Sequence, residues 1–345
     1  MATTESTGTE FSSDLGALAG EEHAPPGIGP YRLAARRLRR NKVALAFGAL
    51  FLLIVIVCLL APVYAKHIAH TTPSDNHLTD QIRVHGKLKD VVSESGIPTG
   101  PTWTGRFFLG ADTNGRDVAV RLLYGGRNSL EIGFIATLIT MLFATVLGTA
   151  AGYFRGWVDA ILSRVFDLLW AYPVYILAIA LGVSLATQGL NLGLFQLKGN
   201  SLGVPAVIIG FVYIPYVAKP IRGQVLGLRS REFVDAARAM GMGNARIMFS
   251  EIIPNVTSTI IVFVPLIIAN AILTEAGLSY LGAGVQDPNP SWGTMISDGI
   301  RLIPSAIHLT IVPGVMLVLC VLGINVFGDG VRDALDPRAK VRIEH

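Results

Sequence analysis

Gly110-Ala-Asp-Thr-Asn-Gly115 has the glycine spacing of a phosphate-binding loop, but Arg116-Asp117 follows it where such a loop needs a lysine and then a hydroxyl. A carboxylate at the place of the Mg²⁺-holding hydroxyl repels phosphate, which argues against nucleotide binding here. No other stretch offers G-x-x-x-x-G-K-[ST]. Rich in Asp, Asn and Gly, the segment reads as a turn, with Asp112, Arg116, Asp117 and the later Arg127 available to pair among themselves or with a neighbouring subunit. A simply solvated loop is the plain alternative. His67-x-x-His70, with His77 and His85 nearby, suggests a metal, but the irregular spacing and the lack of cysteine or of a carboxylate at a fixed offset argue for chance. No metal site is expected, nor a catalytic Ser/His/Asp or Cys/His set. Three charged groups lie close to or inside apolar runs: Arg164 and Asp167, three apart and able to neutralise each other on one helix face, and Glu275. Glu275 can line a substrate path, cap the segment after it or meet a partner subunit, and the sequence does not rank these.

The elements that carry these residues follow from composition. The chain has 345 residues, 51% hydrophobic and only 15% charged, with a mean hydropathy of +0.53. Soluble domains carry roughly 25% charged residues, so this is a membrane protein. Uncharged runs at 43–65 and 132–154 are long enough to cross about 30 Å of hydrocarbon as helices, and 168–190, 201–218, 256–274 and 302–327 are further candidates. Six helical spans are expected, because lipid leaves no water to satisfy open backbone and no barrel-like alternation is present.

Orientation follows the basic residues. Arg32, Arg36, Arg37, Arg39, Arg40 and Lys42 precede the first span and place the N-terminus in the cytoplasm. Arg155 and Arg164, then Arg222, Arg229, Arg231, Arg238 and Arg246, and finally Arg332, Arg338, Lys340 and Arg342 fall on the same side. The net charge of +4 is accounted for by topology, and no nucleic-acid partner is expected. Residues 1–30 form a polar cytoplasmic tail expected to be disordered; 31–128 hold the first span and a long outer loop; 129–330 form a five-helix core; 331–345 are a cytoplasmic tail. The first span reads as an anchor rather than a cleaved signal. Cys58 and Cys320 fall inside spans and read as small apolar residues. Gly148-x-x-x-Gly152 permits close helix approach within the chain.

Between the fourth and fifth spans lies "FVDAARAMGMGNARIMFSEIIP", residues 233–254. Phe233, Ala236, Ala237 and Met240 recur at helical spacing as one apolar stripe. Gly241 and Gly243 permit unusual backbone angles, and a second helical piece carrying Ile247, Met248 and Ile252 runs to Pro254, which ends or kinks it. Two short helices meeting at a bend result, either lying on the bilayer surface or docking onto a partner.

The pattern "DAARAMGMGNARIMFSEIIP" resembles the EAA loop of permease subunits of bacterial ABC importers, with Asp235 in the place of Glu, Glu251 in the place of Ile and Ile253 in the place of Leu. "FLGADTNGRDVAVRLLYGGRNSL" (108–130), "LSYLGAGVQDPNPSWG" (278–293) and "NVFGDGVRDALDPR" (325–338) resemble segments of the C-type permease of dipeptide/oligopeptide/nickel importers, with Ala111 and Val331 as departures. The resemblance covers about residues 31–340. It implies an all-α membrane protein of six helices with the type I importer core and a coupling helix in loop 223–254, where Asp235, Ala236, Ala237, Gly241 and Pro254 engage an ATPase subunit: the alanines allow close approach, Gly241 makes the bend and Asp235 supplies a polar contact. It further implies a non-catalytic subunit in a bacterial inner membrane, with both termini cytoplasmic. Its partners would be a second, homologous permease, two ATPase subunits that bind ATP and Mg²⁺, and an extracytoplasmic binding protein. The cargo would be a di- or oligopeptide, with nickel or another small solute as the alternative; this chain itself would bind no cofactor. A self-contained secondary transporter would show inverted repeats and midplane acidic residues, which are not evident.

Overall fold

The computed structural model describes residues 30–84, 87–188, 190–191, 196–197, 199 and 201–336. The tail 1–29, His85 and the basic residues Arg338, Lys340 and Arg342 lie outside the described residues. In chain order the helices begin with α1 (Pro30–Arg40), α2 (Lys42–Leu59) and α3 (Ala61–Tyr64), followed by a wide turn of π type at Ala65–Ala69. A small hairpin, β1 (Gln81–Val84) and β2 (Lys87–Asp90), pairs antiparallel with Gln81 opposite Asp90. Then come α4 (Val118–Phe154), α5 (Gly156–Ala171), α6 (Val174–Gln188), α7 (Gly203–Val212), α8 (Ile214–Leu228), α9 (Glu232–Ala239) and α10 (Asn244–Ile247). A second π turn at Met248–Ile252 leads into α11 (Ile253–Tyr280), and α12 (Trp292–Ile300), α13 (Ile303–Ala306) and α14 (His308–Leu335) complete the described chain.

Among the described residues five helices are long and apolar enough to cross a membrane, and a sixth crossing exists if α5 and the first part of α6 count as one span bent by 92°. The bend corrects the expected straight span over 168–190. Pro173 between the two helices cannot donate a backbone hydrogen bond and biases Tyr172 to extended backbone, at ψ 135°. The second span is far longer than expected: α4 starts at Val118, not at 132, because Asp117 caps it by accepting from Ala119 N at 2.9 Å and Val120 N at 3.1 Å. Arg127 is therefore helical, and the expected division at 128/129 falls inside α4. The last span likewise shifts from 302–327 to α14, with α13 outside it.

Small residues set how closely the helices approach. A side chain on Gly148 would meet Ala218 O at 2.6 Å, and one on Gly152 would meet Arg222 O at 2.8 Å, so the pair seats α4 on α8 within the chain, as expected. Gly323 faces Phe47 and Phe51, and Gly330 faces Ala44, which runs α14 antiparallel to α2. The opposite side of α2, with Leu52, Leu53, Leu59 and Leu60 all at least half exposed, has the uniformly apolar character of a lipid-facing surface. Cys58 and Cys320 are both fully buried as free thiols in one apolar cluster with Trp292.

The helix directions sort the loops onto two faces. Residue 41, the 154–156 junction, the 229–252 segment and Asp336 share one face, where Arg37 Nη1 donates to Asp336 O at 3.0 Å. The 70–117 lobe and 281–307 share the other, where Arg116 approaches both Asp287 and Asp298.

Candidate functional site

The 229–256 segment is an elbow of two short helices leading into α11. Arg231, in extended backbone, turns the chain out of α8 into α9. α9 ends in a Schellman arrangement: Gly241 N donates to Arg238 O at 2.9 Å and Met242 N to Ala237 O at 3.1 Å. Gly241 sits at φ +78°, with open space where a Cβ would go. Its necessity is therefore conformational rather than steric. Gly243 departs from expectation, since it adopts ordinary extended angles of φ −67° and ψ 153°.

The apolar stripe also differs from the spacing argument. Val234 and Ala237 are the buried residues of α9; they join Tyr153, Phe166, Val225, Ile247, Met248 and Ile252 in one core cluster. Phe233, Ala236 and Met240 face outward, with Met240 75% exposed. Of the two alanines singled out, Ala237 packs inward and only Ala236 is available to a partner. Asp235 lies on the outer side, paired with Arg238 at 2.9 Å, and Arg238 stacks at 5.7 Å over Tyr153. Tyr153 in turn donates to Asn244 Oδ1 at 2.9 Å, so the end of α4 holds both limbs of the elbow.

Pro254 does not end a helix. The π turn at Met248–Ile252 absorbs the ring, and the chain continues from Asn244 to Tyr280 as one membrane-length element. Glu251, at the position where the family pattern has an apolar residue, is half-buried and accepts from Ser250 Oγ at 3.1 Å. Ile252, fully buried, supplies the apolar anchor in its stead. The approach to the elbow is braced by two ion pairs between α5 and α8: a bidentate one, in which Arg222 donates through Nε and Nη2 to Asp159, and Lys219 to Asp167 at 2.7 Å, with Lys219 4.4 Å from the Trp170 ring. Asp167 thus pairs with Lys219, not with Arg164, because α8 presents an ammonium across the helix interface.

On the other face the structure joins two stretches that the sequence treats as separate motifs. Asp112 Oδ1 accepts from the backbone N–H of Asn114 and Arg116, which closes the turn, while Oδ2 takes Arg116 Nε at 2.7 Å. Arg121, buried, lies 3.4 Å from the same oxygen and 3.8 Å from Asp298. Asp117 is wholly buried and accepts from Phe107 N at 2.6 Å besides capping α4. Burial pushes its carboxyl up from the usual range, and the three amide donors oppose that rise. Asn128 Nδ2 donates to Pro290 O at 2.7 Å and Trp292 Nε1 to Leu122 O at 3.1 Å. Asp112 and Arg116 therefore pair within the chain, and Asp117 is taken up by backbone amides. Arg127 stands apart: it is exposed and makes no ion pair among the described residues.

Glu275 is fully buried inside the chain. It accepts from Ser279 Oγ at 2.6 Å, and Ser279 Oγ accepts from Val285 N at 2.9 Å. These contacts tie Glu275 to the turn after α11, one of the three roles left open by the sequence. Nothing in the local sequence foretold that Ser129 and Ser291 would close around it, since they lie on α4 and before α12. His77 contacts Thr71, Asp80 and Arg106, and no cluster of three or more metal-ligating side chains exists among the described residues.

Comparison with known proteins agrees with this architecture. Residues 144–341 match the family model of the binding-protein-dependent transport system inner membrane component, and residues 29–81 match the N-terminal transmembrane domain of oligopeptide transport permease C. The chain is 36% identical, over 96% of its length and 99% of the relative's, to a dipeptide transport system permease protein of Alkalihalophilus pseudofirmus. It is 32% identical to an oligopeptide transport system permease protein of Bacillus subtilis, over 93% of each chain. Among solved structures, a chain of the inward-facing MetNI methionine ABC transporter superposes with a TM-score of 0.50 at 17% identity, covering 62% of this chain and 96% of that one, a likeness of fold. The chain belongs to the inner membrane components of binding-protein-dependent transport systems, and within them to the C-type permease subunits of the dipeptide/oligopeptide branch of ABC transporters.

Proposed function

We propose that this subunit imports di- or oligopeptides together with a second, homologous permease, that two separate ATPase subunits bind and hydrolyse ATP with Mg²⁺, and that an extracytoplasmic binding protein delivers the cargo. The elbow face lies in the cytoplasm with both termini, in accord with the basic residues that flank it. The observation that carries the reading is the split character of α9. Val234 and Ala237 are locked into the helical core, while Phe233, Ala236 and Met240 form an apolar face without a partner among the described residues. Covering Phe233 and Met240 contributes about 1.5–3 kcal/mol each, enough to seat a short helix in a groove, and Asp235 and Arg238 at its edge orient it. Because α8 runs into this elbow and α11 runs out of it, a displacement of α9 by the ATPase reaches two spans directly. Peptide cargo rests on the relatives, whose names specify dipeptide and oligopeptide transport.

The test has two arms. Met240→Asp and Phe233→Asp should leave the permease folded and inserted, since both side chains face outward, yet release the ATPase subunits during purification; full co-purification with wild-type uptake refutes the docking face. In cells lacking this subunit, uptake of a labelled tripeptide should be lost and then restored with the gene. Loss of nickel uptake in place of peptide uptake leaves the machinery standing and replaces the cargo.

A further inference from the structure

The outer lobe between the first two spans carries an aromatic hook. Trp103 and Phe108 pack edge to face, ring centres 5.4 Å apart, yet stand 66% and 40% exposed. Trp103 and Phe107 both lie at φ +58°, a left-handed conformation costly for a bulky side chain. The loop is held there by Trp103 N donating to Phe108 O at 3.2 Å and by Thr102 Oγ1 donating to Phe107 O at 2.9 Å. Phe107 turns inward onto Val91 and Ala111 as the loop's root. The backbone is thus bent so that one aromatic anchors the loop while two are presented outward.

Their height follows from the first span. α2, 18 residues long, rises about 27 Å at ~1.5 Å per residue, close to the thickness of the hydrocarbon core, so α3 with Tyr64 and the π turn after it stand at the outer headgroup level. The hook touches that level: Tyr64 Oη donates to Gly105 O at 3.4 Å, and a side chain on Gly105 would meet Ile68 O at 3.5 Å. Leu59, Leu60, Val63 and Ile68, each at least half exposed, lie between the lipid-facing side of α2 and the hook, with the polar side chains of Lys66 and His67 exposed among them at the level where lipid headgroups begin. Indole rings favour this zone because their apolar body and N–H prefer opposite sides of it.

We propose that the Trp103–Phe108 hook is a membrane-interface anchor that seats the outer lobe on the outer leaflet, its partner being the lipid headgroup and upper acyl region. The lobe then stands at a fixed height over the first span. Such an anchor works independently of which cargo is carried.

The test uses the assembled transporter in phosphatidylethanolamine/phosphatidylglycerol vesicles, with a nitroxide on Thr104→Cys, an exposed site beside the hook, and a control on Leu88→Cys, 66% exposed on the hairpin. Signal from the same complex without either introduced thiol is subtracted. Collision with oxygen relative to a water-soluble nickel chelate should be several-fold higher at 104 than at 88, and adding Trp103→Glu should bring 104 to the control value. Equal ratios at 104 and 88 place the hook in water and overturn the proposal. Exclusion of both reagents at 104 means that another subunit covers it, which overturns it equally. An unchanged ratio with Trp103→Glu removes the anchoring role from Trp103.

Discussion

Substitution of Gly241 separates the bend of the 229–256 elbow from its surface. At φ +78° with no atom within 4 Å of the place a Cβ would occupy, a replacement incurs the backbone cost alone. For Ala this is about 1–2 kcal/mol; for the β-branched Val it approaches the ~3 kcal/mol upper end for such strain; Asn, which tolerates the left-handed region, costs least. At tenfold per ~1.4 kcal/mol, 2–3 kcal/mol lowers the share of correctly bent elbow roughly 30- to 150-fold relative to misbent forms. Because the strain falls between α9 and α10 and not within a span, insertion should be unaffected. The assay is peptide uptake against ATP hydrolysis in proteoliposomes carrying the complete transporter and its binding protein. Uptake per ATP should fall in the order Gly, Asn, Ala, Val. If Asn is as damaging as Val, the defect comes from bulk against a partner and not from the dihedral angle; if Val is fully coupled, the bend has no role.

Other outcomes follow from the packing. Asp117→Ala leaves the amides of Phe107, Ala119 and Val120 without their acceptor, and at about 1–3 kcal/mol per unsatisfied buried donor the loss is at least ~3 kcal/mol; thermal unfolding in detergent should show it, with Asp117→Asn milder. Gly148→Leu drives a side chain into the Ala218 carbonyl of α8 and should abolish accumulation of folded protein in the membrane. Gly223→Ala, on the same helix pair but with open space around it, should be neutral or stabilising by up to ~1 kcal/mol. Lys219→Ala removes the partner of Asp167; because this pair is open to solvent, which screens it, the thermal unfolding temperature in detergent should hardly move.

Much of this protein is present in the order of its residues. Spans can be located because hydrocarbon imposes a length and an apolarity that composition alone reveals. The elbow's bend is legible because glycine directly after a helical stripe supplies a left-handed turn, although the sequence does not tell Gly241, which makes it, from Gly243, which is extended. The stripe itself is another matter: periodicity marks an amphipathic helix but not which flank its own core claims, and that core places Val234 and Ala237 inside and leaves Phe233 and Met240 out. Asp117 and Arg116 can be recognised as charged turn residues, whereas the partners of Arg116 cannot, because Asp287 and Asp298 lie far along the chain. The same holds for Glu275, whose serine neighbours come from three separate elements, and for Asp167, which local spacing pairs with Arg164 and the helix interface pairs with Lys219. Local chemistry and the membrane's thickness determine the elements; which side chains meet between elements is decided only once close-packed glycine contacts bring α4, α8 and α11 within reach of one another.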